Sequence, residues 1–183
     1  MERPIATEVV AQVSLPRVQA IIDRDPGIAF GSVVGSGPSC RFRTTITVEG
    51  PGGVSMSHPI EIEARTSRSE DTGSTLEFAW SPSGGGEALL PTFSGRLELV
   101  PAGPPATTFR LDGDYQIPLG ALGRFGDGVI GHRIARQSVR GLLEAIVGRI
   151  ERESLDHSRR APTIPAPHAP DLRRSPRSES PIG

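Results

Sequence analysis

The feature that most constrains the fold is an alternation of apolar and polar residues that returns in five consecutive segments between residues 40 and 117. In the first segment Phe42 and Ile46 share one face, and Arg41 and Arg43 share the other. A period of two residues is typical of half-buried β-strands. Turn-forming sequences, such as Pro-Gly-Gly at 51–53, separate the segments. The pattern therefore predicts an antiparallel meander with one apolar face and one wet face.

A proline-free segment from about residue 124 to residue 153 predicts the helix that covers the apolar face. Its apolar residues recur at helical spacing: Val129, Ile130, Ile134, Leu142, Leu143, Ile146, Val147 and Ile150. A helix of about 30 residues is about 45 Å long, enough to lie diagonally across a sheet. Another alternating segment at 7–13 predicts an additional strand, and a short helix follows at 16–23. The stretch 28–39 is rich in Gly and Ser and is predicted to be a loop.

The composition changes near residue 154. The last 30 residues contain six prolines and few large aliphatic side chains, so they cannot bury enough apolar surface to offset the entropy of ordering. We therefore predict one folded domain over 1–153 and a disordered, Pro- and Arg-rich tail over 154–183.

Charge and cysteine content exclude several classes of protein. The single cysteine, Cys40, excludes an intramolecular disulfide and a Cys-based zinc site. A net charge of −1, with no lysine in the chain, gives no general attraction to nucleic acid. No apolar run is long enough for a membrane span, and the first residues do not resemble a secretory signal. We expect a cytoplasmic protein, and the sequence leaves its oligomeric state open.

The reactive residues also exclude several kinds of chemistry. The acids of the meander fall at outward positions, so no inward carboxylate pair is available for glycosidase-type catalysis. The four histidines lack the His-Glu-x-x-His spacing of a metal site, and the Gly-rich stretch at 31–37 lacks the Lys of a phosphate-binding loop. We predict neither a metal nor a cofactor.

Six side chains are predicted to face the apolar side of the sheet where a ligand could bind. They are Phe42, Met56, His58, Trp80, Phe93 and Tyr115. His58 is either a general acid–base or a packed core residue. Tyr115 and Trp80 either orient a ligand oxygen and stack on a ring, or only pack. Gly95 and Gly113, also at inward positions, leave space or permit a bend.

The order of elements resembles the helix-grip superfamily that includes START lipid-transfer domains and polyketide cyclases/dehydrases (SRPBCC proteins). The resemblance covers roughly residues 5–153. It rests on Leu15-Pro16 before the short helix, Asp25-Pro26-Gly27 after it, and Ile-Pro-Leu-Gly-Ala-Leu-Gly at 117–123 before the long helix. It implies an α+β fold in which a curved antiparallel sheet of about six or seven strands wraps around a long C-terminal helix.

The resemblance also implies a cavity between sheet and helix that holds a small hydrophobic or aromatic molecule, such as a lipid or a polyketide. Three functions stay open. The first is ligand binding without reaction. The second is a polyketide cyclase or dehydratase in which His58 or Tyr115 transfers protons. The third is a partner-binding module of the co-chaperone type that uses the outer face of the sheet or the tail.

Overall fold

A computed structural model of the chain describes residues 2–35, 40–49, 55–69, 73–83, 91–116 and 128–160. The strands are β1 (Glu2–Ala11), β2 (Ser32–Gly35), β3 (Cys40–Glu49), β4 (Ser55–Ser69), β5 (Gly73–Pro82), β6 (Thr92–Pro101) and β7 (Thr107–Gln116). The helices are α1 (Leu15–Arg24), α2 (Pro26–Phe30) and α3 (Gly128–Arg160). Within these ranges, no helix is both long enough and apolar enough to cross a membrane.

The described strands form one antiparallel sheet in the order β1-β7-β6-β5-β4-β3-β2. The predicted meander is the run from β3 to β7, and its alternation buries Phe42, Trp80 and Tyr115 on the inner face. On the outer face Arg43 pairs with Glu61 across β3 and β4 at 2.8 Å, and Arg110 lies 3.6 Å from Glu8 across β7 and β1. The alternating charges of the sequence thus form cross-strand pairs on the wet face.

The long helix α3 covers the inner face of the sheet. Its buried residues are Ala135, Ser138, Val139, Leu142, Leu143, Ile146, Val147 and Ile150. The helix packs against β1 and β7 at one edge of the sheet and against β3 near the other edge. One helix can reach both sides of a seven-stranded sheet only if the sheet curves around it. The α+β helix-grip architecture expected from the sequence is therefore confirmed.

Two glycines face each other across β6 and β7. Gly95 of β6 is paired with Gly113 of β7. A Cβ atom on Gly95 would lie 2.1 Å from the carbonyl oxygen of Asp112, and one on Gly113 would lie 2.9 Å from the ring of Phe93. The two glycines therefore permit a close approach of the strands, and the Phe93 ring fills space over Gly113.

The predicted loop at 28–39 is wrong for the residues that the structure describes. Pro26–Phe30 forms α2, and Ser32–Gly35 forms β2 on the edge of the sheet. The Asp25 carboxylate caps α2 by accepting a hydrogen bond from the Gly27 amide at 2.9 Å. A helix of five residues and a strand of four are too short for their periodicity to be recognised in a sequence. Residues 36–39 lie outside the described residues.

The long helix ends later than predicted. It continues to Arg160, seven residues past the expected boundary at 153. The first proline of the C-terminal segment is Pro162, so nothing before it prevents helix. Averaging composition over the whole segment concealed its proline-free beginning. The rest of the predicted tail, 161–183, lies outside the described residues.

Polar contacts attach the C-terminal half of α3 to the N-terminal elements. The backbone N–H of Gln12 donates to the Glu151 carboxylate at 2.8 Å, and Arg24 of α1 pairs with Glu153 at 2.5 Å. These contacts fix α1 and the end of β1 against the helix.

Candidate functional site

Three of the predicted ligand-binding residues form one row across the concave face of the sheet. Trp80 of β5 is paired with Phe93 of β6, which is paired with Tyr115 of β7. Paired residues on antiparallel strands point to the same face, so the three rings lie side by side. Trp80 and Phe93 each expose 3% of their surface and Tyr115 exposes 0%.

The fourth aromatic residue, Phe42, joins this row through two rings that the sequence analysis did not select. The Phe42 ring lies 5.4 Å from that of Phe30, and Phe30 lies 5.9 Å from Phe78. Phe78 in turn contacts Trp80 edge-to-face at 6.3 Å. A continuous aromatic chain therefore runs from β3, through α2, to the centre of the sheet.

Trp80 and Phe93 are stacked, with centroids 4.6 Å apart and planes inclined by 16°. The indole Nε1–H donates to the carbonyl oxygen of Pro91 at 3.0 Å. Because this backbone contact satisfies its single donor, Trp80 serves the site as an apolar surface.

Tyr115 supplies the polar end of the row. Its hydroxyl lies 2.7 Å from Nδ1 of His132, on the first turns of α3, and the two rings are 5.8 Å apart. This hydrogen bond links sheet and helix at the edge of an apolar interface. Tyr115 is fully buried, whereas His132 is partly exposed.

The Tyr115–His132 pair can present either a donor or an acceptor to a third group. If the phenol donates to Nδ1, the imidazole carries its proton on Nε2. If Nδ1 carries the proton and donates, the phenolic proton is free for another acceptor. The pair can therefore bind a ligand oxygen in either role, and it can pass a proton between oxygen and nitrogen.

The two remaining predicted residues lie elsewhere on β4. His58 is half-buried, opposite Ile46 of β3, and lies about 13 Å along the strand from Ile62, which is paired with Trp80. The sequence analysis considered His58 and Tyr115 as the groups that transfer protons, but the described partner of Tyr115 is His132. The backbone of Met56 is part of β4, and its side chain lies outside the described residues.

His132 carried a signal that the sequence analysis did not use. It precedes Ala135 by three residues and Val139 by seven, the spacing that puts side chains on one face of a helix. Both of those residues are buried. Phe30 had no comparable signal, since it lies in a five-residue helix within a Gly-rich stretch.

Among the residues that the structure describes, no three His, Cys, Asp or Glu side chains are placed to hold a metal ion. The site consists instead of packed rings and one hydrogen-bonded phenol–imidazole pair. Such an arrangement suits an apolar or aromatic molecule that carries one polar group.

A curved seven-stranded antiparallel sheet, closed by a long C-terminal helix and two short helices, defines the helix-grip fold of the SRPBCC superfamily, and the chain has this fold. It is similar in structure to the Zhui aromatase/cyclase of Streptomyces sp. R1128, with a TM-score of 0.55, 11% identity, and coverage of 84% of this chain and 96% of that one.

Two further structures are similar. A protein of Thermus thermophilus has a TM-score of 0.53 and 16% identity, over 83% of this chain and 99% of its own. A conserved protein of Geobacillus kaustophilus has a TM-score of 0.52 and 12% identity, over 84% and 97%. Comparison of the sequence with family models and with curated proteins gives no match.

Proposed function

We propose that the protein binds a small hydrophobic or aromatic molecule between the concave face of the sheet and α3. The Tyr115–His132 hydrogen bond carries the proposal, because it places a tunable polar group at the end of a row of apolar rings. The ligand's ring packs against the stacked rings of Trp80 and Phe93. Its oxygen takes the place of Tyr115 or His132 in the hydrogen bond that joins them. In this proposal Phe42 and the half-buried His58 extend the wall along β3 and β4, and Met56 stays a prediction from the sequence.

The burial of the row defines how a ligand enters. Trp80, Phe93 and Tyr115 expose almost none of their surface, so a molecule reaches them only when packed groups move aside. We propose that the first turns of α3 are the groups that move, because the hydrogen bond from Tyr115 to His132 is their described polar link to the sheet. His132 is partly exposed and lies at that point of entry. Breaking its bond to Tyr115 costs about 0.5–1.5 kcal/mol, which binding of one apolar ring offsets.

The chain contains a single tryptophan, and it lies in the proposed site. We would titrate the protein with 2-naphthol and follow the emission of Trp80. Saturable quenching is expected for the unmodified chain. Tyr115→Phe and His132→Gln each remove one hydrogen-bonding group and are expected to weaken binding by about tenfold.

His157→Gln is the matched control, because His157 is an exposed residue of the same helix. It should bind 2-naphthol as the unmodified chain does. Native mass spectrometry of freshly purified protein should show a co-purified apolar molecule. Absence of saturable quenching together with ligand-free protein would refute the proposal.

The alternative is a cyclase or dehydratase that transfers protons at the same place. The observation that favours it is the 2.7 Å contact between a phenol and an imidazole, since such a pair can donate and accept a proton in turn. The structural similarity to an aromatase/cyclase supports it. The described partner makes Tyr115, rather than His58, the candidate proton donor.

A poly-β-ketoacyl thioester would test this alternative, because one of its methylene carbons can add to a distant carbonyl of the same chain and the resulting alcohol can then lose water. Cyclised or dehydrated product would be detected by mass spectrometry. His132→Gln should abolish turnover, and His58→Gln should leave it unchanged. If the protein binds 2-naphthol but forms no product from the thioester, the enzyme alternative is excluded and ligand binding without reaction is supported.

A further inference from the structure

A depression lies toward the C-terminal end of α3, where this helix meets α2 and the edge of the sheet. It has a volume of about 580 Å³ and is open to solvent. Its walls are formed by Asp25, Gly27, Gly31, Ser32, Val33, Arg43, Thr44, Thr45 and Arg149. Along α3, the rise from His132 to Arg149 is about 25 Å, so this depression is separate from the aromatic row.

Arg149 is the central group of the depression. Its Nη1 donates to the carbonyl oxygen of Ala29 at 3.1 Å, and its Nη2 donates to the hydroxyl of Thr44 at 2.6 Å. Both acceptors are neutral. In the part of the chain that the structure describes, no carboxylate forms an ion pair with this guanidinium.

Among the described residues, the groups next to Arg149 do not form an ion pair with it. Burial lowers its pKa below the ordinary value, and the neighbouring charge of Arg152 lowers it further. Arg43, which also lines the depression, is already paired with Glu61 at 2.8 Å. A half-buried cation whose hydrogen bonds go only to neutral acceptors is costly, and an anion from solution would offset that cost.

We propose that this depression binds a small organic anion, a carboxylate or a phosphate ester, whose charged group pairs with Arg149. A guanidinium has five N–H donors, and the contacts to Ala29 and Thr44 leave others free for an oxyanion. Val33 also lines the depression and exposes 61% of its surface, so it provides an apolar contact for the rest of the ligand. The site thereby selects an anion with an apolar group over a bare ion.

Asp25 restricts where the anion can lie. One of its carboxylate oxygens accepts the hydrogen bond from the Gly27 amide and is held at the start of α2. The negative charge of Asp25 repels an anion, so the ligand is held near Arg149 and Arg43, away from Asp25. The hydroxyls of Ser32 and Thr45 are available to the ligand between these walls.

The test is isothermal titration calorimetry on the full chain with phenyl phosphate and with benzoate. Benzyl alcohol, which has the ring but no charge, is the negative control. Saturable binding of at least one anion is expected, with a dissociation constant of about a millimolar or lower. Whichever anion binds more tightly identifies the class of oxyanion.

Variants at Val33 test the location without disturbing the contacts of Arg149. Val33→Glu places a competing carboxylate in the depression and should weaken anion binding by about tenfold or more. Val33→Gln has a similar shape without the charge and should bind within about threefold of the unmodified chain. Val33 is exposed, so neither change should prevent folding.

Arg149→Gln should abolish binding, whereas Arg136→Gln, at an exposed position of the same helix, should not change it. The proposal is overturned if neither anion binds saturably. It is also overturned if Val33→Glu and Val33→Gln bind equally well, or if Arg136→Gln loses as much affinity as Arg149→Gln.

Discussion

Gly95 of β6 and Gly113 of β7 are paired across the sheet, so close that a methyl group on either would overlap the neighbouring strand. The contact lies in the row next to Trp80, Phe93 and Tyr115. Because both positions lack a side chain, the two strands approach closely at this point, and the Phe93 ring lies over Gly113.

Gly113→Ala should therefore be one of the most destabilising single substitutions in the sheet. Its Cβ would lie 2.3 Å from the carbonyl oxygen of Ser94 and 2.6 Å from Cα of Gly95. We expect the free energy of unfolding, measured in urea, to fall by about 3 kcal/mol. Gly148→Ala is the control: its Cβ meets no atom within 4 Å, and helix propensity should raise stability by up to about 1 kcal/mol.

The Tyr115–His132 contact should show energetic coupling. We would measure the unfolding free energies of Tyr115→Phe, His132→Gln and the double variant. Since each change breaks the same 2.7 Å hydrogen bond, the two losses should not add, and the interaction energy should be about 0.5–1.5 kcal/mol. Strictly additive losses would mean that the bond does not contribute to stability.

Loss of the stacked ring beside Trp80 should be visible in fluorescence as well as in stability. Phe93→Leu keeps an apolar side chain but removes a stack at 4.6 Å, which contributes about 0.5–1.5 kcal/mol beyond area burial. We expect the unfolding free energy to fall by at least that amount and the emission of Trp80 to change in the folded state. An unchanged emission spectrum would contradict the observed packing.

A buried hydroxyl outside the site offers a test of the junction between β1 and α1. Thr107 is fully buried and donates to the carbonyl oxygen of Val13 at 2.7 Å. Thr107→Val leaves that carbonyl without its partner and should lower the unfolding free energy by about 1–3 kcal/mol. Thr45→Val, at an exposed strand position, should change it by less than about 0.5 kcal/mol.

The fold was largely predictable from the sequence because its main elements are long and regular. Ten-residue strands such as β3 and β6 provide several periods of alternation, and α3 provides several turns of apolar spacing. The short elements α2 and β2 carry no such signal. The end of α3 at Arg160 was missed because a composition average does not locate the first proline.

The candidate site was predictable only on the strand side. Alternation placed Trp80, Phe93 and Tyr115 on the inner face, and the structure pairs them. The partner of Tyr115 lies on a different element, and sequence pattern does not specify how far a helix is shifted along a sheet. His132 therefore becomes visible as a partner only in three dimensions.

The attachment of α3 is uneven along its length. Its C-terminal half buries four large aliphatic side chains, Leu142, Leu143, Ile146 and Ile150. Glu151 and Glu153 in the same half form polar contacts with Gln12 and Arg24. Its first described turns bury Ala135 and Val139, and their described polar link to the sheet is a single hydrogen bond to Tyr115. If the proposed function is right, a ligand that breaks this hydrogen bond would free the start of α3 while the described contacts of its C-terminal half stay in place.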